Sequence, residues 1–303
     1  MENQTTLNMV ESQAVENKKV IVIEIDPETF QNDMVNIHNR DDVLTLLVHL
    51  GYLAYNGNES VLSVPTGVRQ IAPNAFYENS HIKNVKLPST VFAVGERAFM
   101  NCSELTAVEL NTGLVMIADE AFANCSKLVD ITTPVTLSRL GDGAFINCSK
   151  LSKAIVLGNN LSIGRGAFAN CNSLNVALLS NGVSALCDDA FSNNKKLKAV
   201  SVPEQVTSLT TNVFNNCPSL TVVCQKGSFA DDALSGKVSV SYNRGDANLD
   251  GTISIMDTTA LQLHIAGVLQ LPDANLPFMD ADFDGGISIL DATYVQLVIA
   301  KLL

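Results

Sequence analysis

The sequence predicts an α+β repeat protein, in which a solenoid of 23-residue repeats precedes a small all-α module made of two loop-helix units. Three observations predict this fold. Phenylalanine recurs every 23 residues from Phe76 to Phe214, apolar positions recur around each phenylalanine, and a twelve-residue acidic motif occurs twice, at 246–257 and 280–291. A fixed period in the twenties is typical of a solenoid, because each unit buries its apolar face only by stacking on its neighbours.

Three regions are expected along the chain, whose 303 residues are enough for more than one domain. Residues 1–60 form an N-terminal segment or cap, residues 61–242 the repeat domain with a closing cap, and residues 243–303 the all-α module. In the first region, the apolar run at 20–23 predicts a strand. The leucines and the acidic start of 41–50 predict a helix.

The formal net charge of the chain is −12, and the all-α module carries half of it. Residues 243–303 contain eight Asp and no Glu, against Arg244 and Lys301. The chain has no basic stripe of the kind that binds nucleic acid, and no apolar run as long as a membrane span. Residues 1–30 lack the basic start, apolar core and cleavage site of a secretion signal. The concentrated acidity of the module indicates a metal site.

Each repeat is predicted to form a short strand, a turn and an irregular or short helical return. The phrase Ala-Phe-x-Asn-Cys-x-x-Leu marks the turn, and further apolar residues follow the phenylalanine at fixed distances, as in Leu105, Val108, Leu114 and Ile117. These positions are expected to form one continuous core.

Cysteine and asparagine also recur at the repeat period. Stacked rungs lie about 4.8 Å apart with side chains in the same direction, which suggests disulfides. Buried free thiols are favoured instead, because parallel side chains hold their Cβ atoms farther apart than a relaxed bridge prefers. The asparagines are expected to satisfy backbone groups at the turn. The cysteines are Cys102, Cys125, Cys148, Cys171 and Cys217, and the asparagines are Asn101, Asn124, Asn147, Asn170, Asn193 and Asn216.

Two rows of side chains are expected on the concave strand face of the solenoid. They are mixed in character and mostly aliphatic, and the chain has no Trp. A protein is therefore the favoured ligand over a sugar, which usually stacks on aromatic rings; the alternative is a spacer without a specific ligand. One row is Lys86, Glu109, Thr132, Ile155, Leu178 and Ser201, and the other is Asn84, Ala107, Asp130, Lys153, Val176 and Ala199.

The recurring Ala-Phe-x-Asn-Cys-x-x-Leu phrase, followed by Ile-Gly or Ile-Ala, resembles the BspA-like bacterial leucine-rich repeat. The resemblance covers about residues 60–225. It implies a curved leucine-rich-repeat array that binds proteins or surfaces, and it identifies residues 227–230 and the next dozen residues as a closing cap.

The two acidic motifs have the spacing of a calcium loop, which needs oxygen ligands at positions 1, 3, 5, 7, 9 and 12 and glycine at position 6. Gly251 and Gly285 occupy position 6, and position 12 is Asp in both loops. Two calcium ions are therefore expected. The predicted ligands of the first loop are Asp246, Asn248, Asp250, Thr252, Ser254 and Asp257, and those of the second are Asp280, Asp282, Asp284, Gly286, Ser288 and Asp291.

Two loop-helix units without entering helices resemble a type I dockerin over about residues 243–303. This resemblance implies docking to a cohesin module of a scaffoldin, as in the extracellular plant-fibre-degrading assemblies called cellulosomes. It assigns cohesin recognition to loop positions 10 and 11, which are Ile255 and Met256 in one unit and Ile289 and Leu290 in the other. The alternative is that these four side chains pack the small core.

The expected function is that of a non-catalytic, bacterial, extracellular or cell-surface protein, tethered by its calcium module. The sequence contains no Gly-x-Ser-x-Gly, His-Glu-x-x-His or phosphate-loop motif. The main alternative is a surface adhesin in which the repeats are the functional part and the calcium module is only structural. An enzyme within the solenoid is a third class, and it is the least favoured.

Overall fold

A computed structural model describes residues 23–25, 54–56, 61–64 and 66–302. The helix predicted at 41–50 lies outside these residues, as do residues 20–22 of the predicted first strand. The first strand of the structure is Ile23–Ile25.

The repeats form a parallel β-solenoid in which each repeat contributes two short strands. One edge of every repeat adds to an eight-stranded sheet, and the other adds to a four-stranded sheet or a six-stranded sheet. Neighbouring strands of the repeats pair in parallel. Two pairs are antiparallel: β1 (Ile23–Ile25) with β4 (Val68–Ile71), and β2 (Ala54–Asn56) with β3 (Val61–Ser63). The eight-stranded sheet contains, in order, β1 (Ile23–Ile25), β4 (Val68–Ile71), β6 (Ala93–Val94), β8 (Met116–Ile117), β10 (Arg139–Leu140), β12 (Leu161–Ile163), β14 (Val183–Leu186) and β16 (Ser208–Leu209). The four-stranded sheet contains β2 (Ala54–Asn56), β3 (Val61–Ser63), β5 (Asn84–Lys86) and β7 (Ala107–Glu109), and the six-stranded sheet contains β9 (Asp130–Thr132), β11 (Lys153–Val156), β13 (Val176–Leu179), β15 (Ala199–Ser201), β17 (Thr221–Val223) and β18 (Ser239–Ser241).

The core between the sheets is built on a ladder of seven phenylalanines. From Phe76 to Phe191 successive rings stack nearly parallel with centroids 4.7 to 5.3 Å apart, and the ring of Phe214 is tilted at 5.7 Å. The six rings from Phe76 to Phe191 are at most 1% exposed. The periodic apolar residues therefore form the continuous core that the sequence predicted.

No helix occurs in the described segment 66–228, so the return is irregular there, which is one of the two predicted forms. The backbone N–H of Phe76 donates to the carbonyl of Ala98 in the next repeat, and Phe99 donates to Ala121 in the same way. Because these N–H groups bond between repeats, they do not form the i to i−4 bonds of an α-helix.

The cysteines are free thiols, as expected. In each of the five cysteines that recur at the repeat period, Sγ lies 3.2 Å from the carbonyl oxygen of the phenylalanine 26 residues earlier, as in Cys148 with Phe122. Burial raises the pKa of Cys171 to about 12. Asn194 replaces cysteine in one repeat, and its Nδ2 donates to the carbonyl of Phe168 at 2.9 Å. Each of these side chains therefore satisfies one buried carbonyl of its neighbouring repeat.

The asparagine rung has a different role from the predicted one. Asn124 donates to the side chain of Asn101 at 2.7 Å, and Asn147 donates to that of Asn124 at 2.9 Å. All six rung asparagines adopt a φ between 58° and 62°. Asparagine therefore recurs because the turn requires the left-handed backbone region, which it tolerates better than most residues.

After the last repeat, a short helix and a strand cover the end of the solenoid and form a cap. Helix α1 (Phe229–Leu234) begins at Ser228, whose side chain accepts from the N–H of Asp231. Ala230 and Leu234 are buried in the main core, and β18 extends the six-stranded sheet beyond the last repeat.

The all-α module follows the cap directly. Helices α2 (Ile255–Ile265) and α4 (Ile289–Ile299) pack against each other. Between them lie a 3₁₀ helix (Asp273–Asn275) and the short helix α3 (Leu276–Met279). Asn275 donates from Nδ2 to the carbonyl of Ala247 at 2.9 Å and so joins this linker to the first loop.

Candidate functional site

The two acidic loops have the same backbone form. Gly251 and Gly285 adopt φ values of 89° and 87°, which favour glycine. Leu249 and Phe283, at loop position 4, adopt 60° and 59°. The position-5 carboxylate accepts from the N–H two residues later in both loops, at 2.9 Å for Asp250 and 2.7 Å for Asp284. The repeated sequence therefore produces a repeated local geometry.

Each loop ends in a helix with a capping box. The hydroxyls of Ser254 and Ser288 accept from the N–H groups of Met256 and Leu290. The position-12 carboxylates are fully buried and accept from the serine N–H, at 2.8 Å for Asp257 and 2.7 Å for Asp291. The serine hydroxyls thus have a capping role, and their assignment as metal ligands stays a prediction.

The second loop brings three carboxylates together. Ligand oxygens of Asp280, Asp282 and Asp284 lie within 4.8 Å of one another. Asp280 is fully buried, and neither of its carboxylate oxygens has a hydrogen-bond partner. Burial, and then the negative charge of Asp291, raise the pKa of Asp280 to about 8, and burial raises that of Asp291 to about 6. Unpartnered, converging carboxylate oxygens fit a hard cation, which would satisfy them and reverse these shifts.

The first loop is more exposed and is satisfied by its own backbone. Asp246 accepts from the N–H groups of Asp250 and Gly251, at 3.1 and 2.9 Å. Burial raises the pKa of Asp246, whereas hydrogen bonds from Thr252 lower that of Asp250. Position 3 is Asn248, which donates to Asp250 at 3.0 Å. The donor set fits the same cation with one carboxylate fewer at positions 1, 3 and 5.

The four predicted cohesin-binding side chains point into solvent. Ile255 and Met256 are 60% and 61% exposed, and Ile289 and Leu290 are 55% and 59% exposed. The alternative that they pack the small core is therefore wrong. Each pair lies in the first turn of its helix, so the two helices present two separate apolar surfaces.

The predicted rows of the strand face are present, but only part of each row is open. Strand pairing places Thr132, Ile155, Leu178 and Ser201 side by side. Thr132 is exposed, whereas Leu178 is 1% exposed because the all-α module covers it. Sequence reasoning missed this cover, although the change from charged to aliphatic residues along the row was a visible signal. Beside the open part lies a groove of about 540 Å³, whose lining includes Val108, Glu109, Thr132, Pro134, Val135 and Leu157.

Calcium binding by the second loop is expected to strengthen as the pH rises towards 8. The fold holds a proton on Asp280, with a pKa of about 8, that the unfolded chain releases near 3.8. The metal-free module therefore loses stability as the pH rises through this interval. A cation must displace the proton, so calcium affinity rises by up to about tenfold per pH unit below 8 and then levels off. Calorimetric calcium titrations below and above pH 8 measure this, and an affinity independent of pH would contradict it.

Protein-family models match both the repeat domain and the all-α module. The model described as the BspA type leucine-rich repeat region matches in six copies, over residues 52–175 and 93–221. The model of the dockerin type I domain matches residues 244–302. Dockerins of this type bind calcium in general, and both families are non-catalytic interaction modules typical of extracellular or surface proteins. No helix among the described residues is long and apolar enough to cross a membrane.

Solved structures similar to the chain are leucine-rich-repeat proteins. One is the leucine-rich repeat protein of T. pallidum, with 32% identity and a TM-score of 0.49, covering 55% of this chain and 80% of that one. Another is a leucine-rich cell surface protein of Faecalibacterium prausnitzii, with 24% identity and a TM-score of 0.34, covering 55% of this chain and 60% of that one. No curated protein matches the chain. Since the repeat model spans more than half of its residues, the chain belongs to the BspA-type leucine-rich-repeat family, and it carries a type I dockerin domain.

Proposed function

We propose that this chain is a non-catalytic component of a cellulosome-type assembly, in which the dockerin binds two calcium ions and anchors the chain to a scaffoldin cohesin. The observation that carries this proposal is the pair of matching loop-helix units. Each unit has a ligand set in calcium-loop order and presents an exposed apolar pair, Ile255 with Met256 or Ile289 with Leu290. Exposed apolar anchors that become buried on binding are the usual source of binding energy at protein interfaces.

In this proposal the twelve predicted ligand residues hold the two ions, and the ions neutralise carboxylates that otherwise repel one another. By fixing the loop conformation, the bound ions also fix the first helical turn of α2 and of α4. The recognition pairs are then presented in a defined orientation. The two families, which are typical of extracellular or surface proteins, support an extracellular or cell-surface bacterial setting.

The repeats are proposed to bind a protein or a surface through the part of the strand face that the dockerin leaves open. This part contains exposed charged residues such as Lys86, Glu109 and Asp130, next to the groove with Val135. Charged residues around an apolar groove favour a protein ligand.

Cohesin binding by the full chain, with calcium and then with a chelator, tests the docking proposal. Because the two units repeat, charged substitution of one pair, I255D with M256D, should change affinity by about twofold, since the other pair still binds. Substitution of both pairs should weaken it by at least about thirtyfold, the loss of a hot spot of about 2 kcal/mol. Complete loss from one pair would contradict two equivalent binding modes.

A second candidate is a surface adhesin in which the calcium module is only structural. The packing of the module on the last repeats favours it, because this contact gives the module a role in the fold. The two functions differ in one result: an adhesin of this kind binds no cohesin in the presence of calcium.

A further inference from the structure

The dockerin packs on the strand face of the last repeats rather than hanging free at the end of the cap. Its α3 helix lies on β13 and β15. Met279 and Ala281 share one buried cluster with Val176 and Leu178, and Phe278 contacts the cluster of Ala199 and Val223. The strand residues of these clusters are at most 2% exposed, so the face is dry where the module covers it.

The character of the strand face changes where this contact begins. In the row of the strand face that begins at Lys86, the open repeats have Lys86, Glu109 and Thr132, and all three are exposed. In the same row the covered repeats have the aliphatic residues Ile155 and Leu178, followed by Ser201, whose hydroxyl accepts from the N–H of Leu179. An aliphatic side chain that points away from the solenoid core stabilises the fold only when another part of the protein removes it from water. The sequence of these repeats is therefore matched to the dockerin.

The second calcium loop forms the edge of this contact. Asn181, in a turn of the repeats, donates from its backbone N–H to the carbonyl of Phe283 and from Nδ2 to that of Asp282, both at 2.8 Å. A Cβ at Gly285 would lie 2.3 Å from Leu157 Cδ2. A Cβ at Gly251, the same position of the first loop, would meet nothing within 4 Å. The repeats therefore hold the backbone of the second loop at Phe283 and contact it at Gly285, whereas the equivalent glycine of the first loop meets nothing.

We propose that calcium binding by the second loop and docking of the dockerin on the repeats are thermodynamically coupled, so that each strengthens the other. This rests on the proposed binding of two ions. The same backbone segment, Asp282–Gly285, both carries predicted ligands and contacts the repeats. The backbone conformation that binds calcium is therefore also the one that contacts the repeats. By reciprocity, loss of the contact weakens calcium binding by the factor by which loss of calcium weakens the contact.

The test is a calcium chloride titration of the full chain by calorimetry, with small-angle scattering of the same samples. The variant is L178K, which introduces at the covered position the residue type found at Lys86. The matched control is T132K, at the same ladder position on the open face. We expect wild type and T132K to bind two ions alike. In L178K one site should weaken about tenfold, within the usual range of coupling between sites, and the radius of gyration should increase.

Two results would decide against the coupling. Unchanged affinity at both sites of L178K would overturn it while leaving the calcium proposal intact, whereas a wild-type chain that binds no calcium would overturn the calcium proposal itself. If L178K does not fold, the pair G285A and G251A replaces it. Both variants place a Cβ at the same strained φ, but only G285A meets the repeats, so it should weaken its own site several-fold more than G251A weakens the first. Equal losses would overturn the coupling.

Discussion

Replacement of Asp280 by asparagine is expected to abolish calcium binding by the second loop and to remove the stabilisation that this ion gives. Asp280 is buried, neither of its oxygens has a hydrogen-bond partner, and it lies with Asp282 and Asp284 in one carboxylate cluster. An ion present at about 100 times its Kd stabilises the folded state by about 2.7 kcal/mol. D280N should lose about this amount in calcium, as measured by thermal unfolding with and without a chelator.

Without calcium the same substitution should act in the opposite direction. Asparagine cannot ionise, so D280N avoids the buried negative charge that the metal-free wild type acquires above pH 8. The metal-free variant should therefore be more stable than wild type at alkaline pH. D273N is the matched control, because it removes an equal charge from an exposed position outside both loops. A calcium response in D280N equal to that in D273N would show that Asp280 is not a ligand.

Replacement of Phe145 by alanine is expected to destabilise the repeat domain by about 3–5 kcal/mol, the usual cost of removing a buried aromatic side chain. The ring is fully buried and stacks on Phe122 and Phe168, at 5.2 and 5.3 Å. Because each repeat is stabilised by its neighbours, loss of a central ring weakens two interfaces at once. Denaturant unfolding of the full chain measures this effect.

F92A is the control for the ladder. Phe92 is 45% exposed and lies outside the stacked series, so its removal should cost much less than the removal of Phe145. Similar losses for the two variants would mean that stacking along the ladder does not determine the stability of the solenoid.

Much of this architecture was predictable because it is periodic or local. The 23-residue period predicted the stacked core, since a residue type that recurs at the repeat length must occupy equivalent rungs. The loop motif predicted two glycine turns and two helix starts, because these depend on residues within twelve positions of one another. The sequence left open whether the return is irregular or helical, and a contact between repeats decides it: the backbone N–H of Phe76 donates to the carbonyl of Ala98 in the next repeat. Composition of one repeat does not reveal such a bond.

The repeat array, the calcium-loop pattern and the two apolar pairs at Ile255 and Ile289 can be read from the order of residues alone. Three features cannot: the dockerin covers Leu178, Asp280 is buried, and Gly285 meets the repeats while Gly251 does not. These features depend on contacts between residues that are far apart along the chain. The bond from Asn181 to Asp282 joins residues 101 positions apart. Among the described residues, two loops with nearly the same sequence differ because only the second accepts these hydrogen bonds from the repeats.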